Sequence, residues 1–137
     1  LELVQMHRRN LAKAIEFIES HGLVQETAFQ YFDAAGAIKE TLVGTVAGMV
    51  LGTAKADPYK PMLAFASGPD GFLKVSARCS RLLSLRGLNL GALMRDSCSQ
   101  FGGSGGGHFP AAGGYVPVGK KDAFLEVFGK NVGSKQG

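Results

Sequence analysis

The chain has 137 residues, of which 45% are hydrophobic and 19% charged, and this composition excludes a disordered chain while the length excludes two ordinary domains. The net charge is +4, but residues 1–73 carry six Lys/Arg against eight Asp/Glu, whereas residues 74–137 carry nine against three. A basic second half suits a phosphate-rich ligand, although a solvated surface has the same composition. No apolar run reaches the roughly 20 residues of a membrane-spanning helix.

An amphipathic helix is predicted at the start of the chain. Its apolar residues recur at helical spacing, at Leu11, Ala14, Ile15 and Ile18. Gly22 follows this segment, as glycine commonly does at a helix end. Because the chain begins with Leu1 rather than methionine and shows no signal peptide, we expect residues 1–22 to be a connector helix that leads from an earlier domain.

The segment from Thr41 to Ala54 is ambiguous in sequence. Its β-branched residues favour a strand, yet Gly44, Gly48 and Gly52 recur every four residues. On a helix, this spacing places the three glycines on one face, where a neighbouring element can approach closely. We interpret the segment as a tightly packed core helix, preceded by weak strand character between residues 23 and 31.

Two adjacent strands are predicted in the middle of the chain. Residues 62–67 form an apolar run typical of a buried strand, and a Gly-Pro-Asp-Gly turn signal follows it. In the next strand, from Phe72 to Arg78, alternation places both of these residues on one face together with Lys74 and Ser76. We expect the polar part of this face to look outward, toward solvent or a ligand.

The second half of the chain adds two helices and a glycine-rich loop. A helix is predicted from about Asn89 to Gln100, with Asn89 as its N-cap, and the loop follows it. After a short strand at residues 115–118, a last helix is expected from about Lys120 to Phe128. We expect residues 131–137 to form a frayed tail.

Cys79 and Cys98 are not arranged as a metal site or a redox pair. They lie far apart in sequence, and neither has His, Asp or Glu neighbours at metal-ligand spacing. We therefore expect two buried free thiols in a protein of the reducing cytoplasm.

The most informative segment is the glycine run that begins at Gly102. Five of its first six residues are glycine, which permits positive φ and lets amide N–H groups surround an anion. His108 at the end of the run can donate a hydrogen bond to a phosphate. The run lacks the Gly-Lys-Ser/Thr ending of a Walker A loop and precedes a strand, unlike a dinucleotide fingerprint. Local chemistry leaves two alternatives open, a ligand-binding loop and a flexible linker.

The motifs in this half of the chain resemble a known domain. Gly106-Gly107-His108 followed by Ala111-Ala112-Gly113 resembles the GGHxxAAG signature of the DHH-associated domain of DHH-superfamily phosphoesterases. Ser76-Ala77-Arg78 and Asn89-Leu90 resemble the Ser-x-Arg and Asn-Leu elements of that domain in RecJ-like exonucleases, and the long glycine run is most similar to the archaeal branch. The resemblance covers roughly residues 38–128.

Together with the predicted elements, the resemblance implies an α/β fold. We expect a mixed sheet of about four or five strands flanked by helices, with residues 23–130 as the substrate-binding domain after the connector helix. It also implies that a separate DHH domain holds Mn²⁺ or Mg²⁺ and cleaves the phosphodiester. The domain in hand would then bind the phosphate and the terminal nucleotide of the substrate.

The resemblance assigns a role to six residues. Arg78 would pair with a phosphate, Gly106 and Gly107 would offer backbone N–H groups, and His108 would contact the phosphate near the scissile bond. The two others of the set are Ser76 and Asn89, for which the alternatives are that Ser76 only orients Arg78 and Asn89 only caps its helix. Outside this set, Arg81 and Arg86 are expected in a loop, where they either follow a nucleic-acid backbone or do nothing specific.

The chain carries no Asp-His-His element, and its histidines are His7, His21 and His108. The first two are interpreted as exposed helix residues, so no metal-ligand cluster can be assembled. We therefore expect the chain to bind its substrate without hydrolysing it. The expected ligand is single-stranded DNA or RNA, and the expected partners are the DHH domain and a replication protein.

Three alternative functions are open from sequence. The chain could be the substrate domain of an oligoribonucleotide or cyclic-dinucleotide phosphodiesterase. It could be an RNA-binding appendage like the related domain of alanyl-tRNA synthetases. Finally, its first helix could dock a protein partner.

Overall fold

The computed structural model describes residues 2–136, apart from the side chains of Glu2, Leu3, His7, Lys135 and Gln136. Its elements in chain order are α1 (Glu2–His21), β1 (Val24–Gln25), β2 (Gln30–Asp33), α2 (Val43–Leu51), β3 (Met62–Ser67), β4 (Phe72–Arg78), α3 (Arg81–Leu85), α4 (Leu90–Ser99), β5 (Ser104–Gly107), β6 (Ala111–Pro117) and α5 (Lys121–Gln136). A 3-10 turn at Val118–Lys120 leads into α5. None of the helices in residues 2–136 is long and apolar enough to cross a bilayer.

The strands form one mixed sheet in the order β1-β2-β3-β4-β6-β5. Only the β2–β3 pair is parallel, and the other neighbours are antiparallel. The predicted α/β class and mixed sheet are therefore confirmed, with six strands rather than four or five. The strands that were not counted are the two-residue β1 and the glycine-rich β5, neither of which has the composition of a typical strand.

Helices cover both faces of the sheet, so each face has its own core. On one face, Phe65 packs with Met94 of α4 and with Phe124 and Phe128 of α5. On the other face, α1 and α2 pack over the half of the sheet that contains β2 and β3. The central strand β3 is buried on both sides, which explains its continuous apolar sequence.

The ambiguous glycine-containing segment is a helix, α2, as interpreted from sequence. Its glycines do not act alike, however. A Cβ on Gly44 would overlap the Arg78 side chain on β4, whereas a Cβ on Gly48 would meet nothing within 4 Å and Gly52 caps the helix C-terminus. A close approach therefore exists only at Gly44, and the expectation of three glycines at one interface is wrong.

Three further elements differ from expectation. The strand expected at residues 115–118 is β6, which begins at Ala111 and ends at Pro117. The loop expected to carry Arg81 and Arg86 contains the short helix α3, because the Ser80 hydroxyl caps its first turn by accepting a bond from Leu83 N–H (3.3 Å). The last helix continues beyond Phe128 to Gln136, and Val132 in the expected frayed tail is fully buried. The first helix and its end at His21 agree with the prediction, and the predicted exposure of His7 concerns a side chain outside the described part.

The buried end of α5 should contribute measurably to stability. Val132→Ala removes two buried methyl groups, so we expect the free energy of unfolding to fall by about 2 kcal/mol in urea denaturation. Gly133→Ala is the matched control, because its Cβ would meet nothing within 4 Å and alanine favours the helix. Equal stability of Val132→Ala and the unchanged chain would contradict this packing.

Candidate functional site

An open depression lies on the same sheet face as α2, over the part of β4, β5 and β6 that α2 leaves uncovered. Its volume is about 260 Å³, somewhat less than the roughly 300–1,000 Å³ of pockets that enclose a whole ligand. It is lined by Lys74, Ser76, Arg78, Gly106, Gly107, Ala111, Ala112 and Gly113. Four of the six predicted site residues therefore meet here, although they come from distant parts of the sequence.

Strand register explains how these residues come together. Across β4 and β6, Arg78 is opposite Ala111, and Ala111 is bonded in turn to His108 at the β5–β6 hairpin. In the next row along the strands, Ser76 is opposite Gly113, which is opposite Gly106. Small residues thus occupy the middle of both rows, and larger side chains, those of Arg78 and His108, stand only at the ends of the first row.

Arg78 is held in place by the backbone and not by an acidic side chain. Its Nη1 donates to the carbonyls of Ala77 (2.8 Å) and Ala112 (3.1 Å), and its Nη2 lies against Gly44. Partial burial lowers the pKa of the Arg78 guanidinium, which remains charged at neutral pH. Within residues 2–136, no carboxylate lies at ion-pair distance from Arg78.

Lys74 adds a second positive charge to the depression. Its Nζ lies 5.0 Å from the centre of the Tyr115 ring and about 3.5 Å from the place a Gly113 Cβ would occupy. In the described part of the chain it has no carboxylate partner either. The depression is therefore a cationic surface without an internal counter-charge.

The glycine run is a strand rather than the loop expected from sequence. β5 pairs with β6 in an antiparallel ladder, closed by the bond from His108 N–H to the Ala111 carbonyl (2.8 Å). Ladder alternation then directs the Gly106 N–H to β6 and leaves the Gly107 N–H outside the ladder. Of the two amides expected to bind phosphate, only that of Gly107 is free of the sheet.

The glycines of β5 serve two different purposes. A Cβ on Gly105 would lie 2.6 Å from the Met94 carbonyl and 3.0 Å from the Cys98 sulfur, so this glycine lets α4 approach the sheet. On the opposite face, a Cβ on Gly106 would meet nothing within 4 Å. Packing within the chain thus explains Gly105, and Gly106 has no such explanation.

The other predicted residues are placed as follows. Ser76 is buried, and the contacts that hold the guanidinium of Arg78 do not include it. Asn89 caps α4 by accepting a bond from Ala92 N–H (3.1 Å) and does not line the depression. His108 is exposed at the hairpin turn.

The N-terminus of α4 is closed by the hairpin turn. Leu90 N–H donates to the Phe109 carbonyl (3.0 Å) and Gly91 N–H donates to the His108 carbonyl (3.1 Å). Together with the Asn89 cap, these bonds satisfy the first amides of the helix. The helix end therefore positions the hairpin that carries His108 and is not itself an anion site.

Both cysteines are buried and free, as expected. Burial raises the pKa of the Cys98 thiol to about 11, partly offset by a hydrogen bond with the Tyr115 backbone, and burial also raises the pKa of Cys79. Thiols in this state are protonated at neutral pH and are poor nucleophiles. They belong to the packing between α4 and the sheet.

Gly44 was not identified as part of the site from sequence, since its contact with Arg78 depends on how α2 crosses β4. We expect Gly44→Ala to keep the fold but to displace the guanidinium, because the new Cβ would overlap the end of the Arg78 side chain and no backbone atom. The change should appear in the Nε–Hε resonance of Arg78 in ¹H–¹⁵N spectra. Gly48→Ala is the matched control: it should leave that resonance unchanged and raise the free energy of unfolding by about 0.5–1 kcal/mol. Equal shifts in both variants would contradict the contact.

Comparison with known proteins gives a consistent family. Residues 29–134 match the DHHA1 domain. The uncharacterized protein MJ0831 of Methanocaldococcus jannaschii is 28% identical over 134 residues, which cover 98% of this chain and 28% of that protein. The chain thus spans little more than a quarter of this relative.

Three solved structures share the fold at low identity. RecJ of Thermus thermophilus in complex with Mn²⁺ superposes with a TM-score of 0.59 and 17% identity, covering 97% of this chain and 18% of RecJ. The pGpG-specific phosphodiesterase PggH of Vibrio cholerae gives 0.63 and 15%, covering 97% and 42%. The C-Ala domain of Aquifex aeolicus alanyl-tRNA synthetase gives 0.62 and 13%, covering 79% and 95%.

Proposed function

We propose that this chain, which belongs to the DHHA1 domain family, binds the phosphate of a single-stranded nucleic acid on behalf of a metal-dependent, RecJ-like phosphodiesterase. Membership of the family confirms the resemblance predicted from the signature residues. The observation that carries the proposal is Arg78, a half-buried guanidinium that lines an open depression without a carboxylate partner in residues 2–136.

An anionic ligand would compensate the two positive charges of this depression. Burial of a cation costs free energy unless an opposite charge or hydrogen bonds compensate for it. Two carbonyls satisfy only Nη1 of Arg78, and the remaining donors of its planar guanidinium match the oxygens of a phosphate. Lys74, four residues from Arg78 on the same strand face, adds a second positive charge that attracts an anionic ligand to this depression.

The small residues in the middle of the two rows, Ala111 and Gly113, give the phosphate access to these charges. Ala111 separates Arg78 from His108 by two strand spacings, roughly 10 Å between the outer backbones. A phosphate above Ala111 is therefore within reach of both long side chains. Gly106 keeps the surface flat, and the Gly107 N–H, directed away from β6, is open only to a group at the outer edge of β5.

Hydrolysis would require a second domain. The fold family implies a divalent metal, but residues 2–136 contain no group of three or more His, Cys, Asp or Glu side chains that could hold one. The depression itself is lined by two cations, which would repel Mn²⁺ or Mg²⁺. We therefore assign the metal to a DHH domain that faces this depression, joined through residues 1–22. The buried free thiols fit the cytoplasm as its location.

The alternative functions share the phosphate site and differ in the rest of the ligand. A cyclic dinucleotide or short oligoribonucleotide would use Arg78 and His108 as well, and the likeness to PggH keeps this alternative open. The likeness to C-Ala is one of fold. Docking of a protein through the first helix is less favoured, because Ala14 and Ile18 are already buried against α2 and β2.

Binding of a fluorescein-labelled single-stranded oligonucleotide, measured by anisotropy at two salt concentrations, tests the phosphate site. We expect Arg78→Ala to weaken binding by about 2 kcal/mol and to reduce the slope of log K against log salt by about 0.7, as for one lost phosphate contact. His108→Ala should weaken binding in the same direction. Binding unchanged by either substitution would refute the site.

Arg95→Ala is the matched control for charge. Arg95 is an exposed arginine of α4, on the side of the sheet opposite the depression, so its removal changes the net charge by the same amount. Affinity should change little in this variant. If it falls as far as in Arg78→Ala, the binding is a general attraction to the basic half of the chain.

The chain should bind without cleaving. Incubation of a 5′-labelled oligonucleotide with the purified chain and Mn²⁺ or Mg²⁺ should leave the substrate intact on a denaturing gel, since the side chains that the structure describes include no group that could hold the metal. A full-length relative that carries the DHH element serves as the positive control. Cleavage that is abolished by Arg78→Ala would show that this chain is itself a nuclease.

A further inference from the structure

A second depression lies on the same sheet face, beside the phosphate site. Its volume is about 290 Å³, and it is lined by Pro69, Phe72, Gly102, Gly103, Ser104 and Tyr115. This lining has no charged side chain and contains two aromatic rings. We refer to it as the aromatic depression.

The two depressions belong to one continuous surface. The row after Ser76, Gly113 and Gly106 consists of Lys74, Tyr115 and Ser104, which are opposite one another on β4, β6 and β5. Phe72 begins the last row on β4. From Arg78 to Lys74 the strand advances four residues, or roughly 13 Å, so Lys74 stands at the boundary between the depressions.

The rings of Phe72 and Tyr115 have no role in either core. Both residues are only partly buried, and neither belongs to the hydrophobic cluster on its side of the sheet. Gly103 in the lining is required by packing within the chain, because a Cβ there would overlap the Tyr115 carbonyl. The chain thus places two partly exposed aromatic rings in this depression, and aromatic side chains in an open groove are what stacks bases in single-strand binding proteins.

Lys74 links this aromatic surface to the phosphate site. Its Nζ lies 5.0 Å from the centre of the Tyr115 ring, so a planar group stacked beside Tyr115 has a cation next to it. A nucleotide supplies both matching groups, a base for the ring and a phosphate for the ammonium. An apolar peptide would satisfy the rings and leave Lys74 without a counter-charge.

We infer that the aromatic depression binds a nucleobase of the same strand whose phosphate pairs with Arg78, which rests on the proposed function. The nucleic-acid strand lies along β4 from Arg78 toward Phe72, and Lys74 pairs with a phosphate between these two residues. The six-residue distance from Arg78 to Phe72, roughly 20 Å, exceeds the roughly 3.4 Å advance between stacked nucleotides. The ligand is therefore an oligonucleotide of several nucleotides, and a single nucleotide reaches only the phosphate site.

The test compares three ligands: a hexathymidylate, the same hexamer with abasic sugars, and thymidine 5′-monophosphate. The oligomers are measured by anisotropy and the mononucleotide by NMR titration. Tyr115→Leu and Phe72→Leu keep apolar volume but remove the stacking face. Each should weaken hexathymidylate binding about tenfold and leave mononucleotide affinity within about twofold.

The abasic hexamer identifies the base as the group that is bound. The unchanged chain should bind it about as weakly as Tyr115→Leu binds hexathymidylate, and Tyr115→Leu should weaken it no further. Tyr59→Leu is the matched control, since Tyr59 is 61% exposed in the loop before β3. Retained dispersion of the ¹H–¹⁵N spectrum verifies that each variant is folded.

The outcomes separate this inference from the proposed function. If Arg78→Ala weakens all three ligands while Tyr115→Leu and Phe72→Leu weaken none, the phosphate site stands and the base site is refuted. If the Tyr115 substitution weakens the abasic hexamer as strongly as hexathymidylate, the ring acts on the backbone and not on a base. If Arg78→Ala binds all three ligands as tightly as the unchanged chain, the proposed function is overturned, and the inference that rests on it falls as well.

Discussion

The close approach of helix α4 to the β5–β6 hairpin is the constraint on which the proposed binding face depends. At Gly105 the helix lies almost on the strand backbone, and the Cys98 sulfur fills the remaining space. The hairpin turn adds a second contact with the helix, because its carbonyls accept hydrogen bonds from the first amides of α4. Hairpin and helix therefore form one rigid unit, which fixes the position of His108 and leaves the opposite face of the hairpin flat and open.

The other half of the binding face is set by α2. This helix covers β3 and part of β4, and it ends the open area where Gly44 meets Arg78. The guanidinium is thus enclosed on one side by a helix backbone and bonded to the sheet on the other. Such a charge has little freedom to lose when a ligand binds, which makes it a stronger partner for phosphate than an exposed arginine on a mobile side chain.

Most of the fold could be predicted from sequence, because α1 and β4 carry clear periodicity, β3 is a continuous apolar run, and α4 begins at an N-cap. The glycine run could not be recognised as a strand, since glycine lacks the side chains that signal one, and its pairing with β6 and packing under α4 are tertiary effects. The signature residues Arg78, Gly106 and Gly107 do converge, whereas Asn89 is used as a helix cap. Gly44 had no local signal of its role, which depends on a contact between distant elements.

The contrast between Gly105 and Gly106 has an evolutionary consequence. Packing against α4 demands the first, and nothing in the described part of the chain demands the second. A lineage that kept this domain but abandoned its ligand would still be held to glycine at position 105 by folding. At position 106 it would be free to change to larger residues. Glycine at position 105 therefore indicates that a descendant keeps the fold, and glycine at position 106 indicates that it also keeps the ligand.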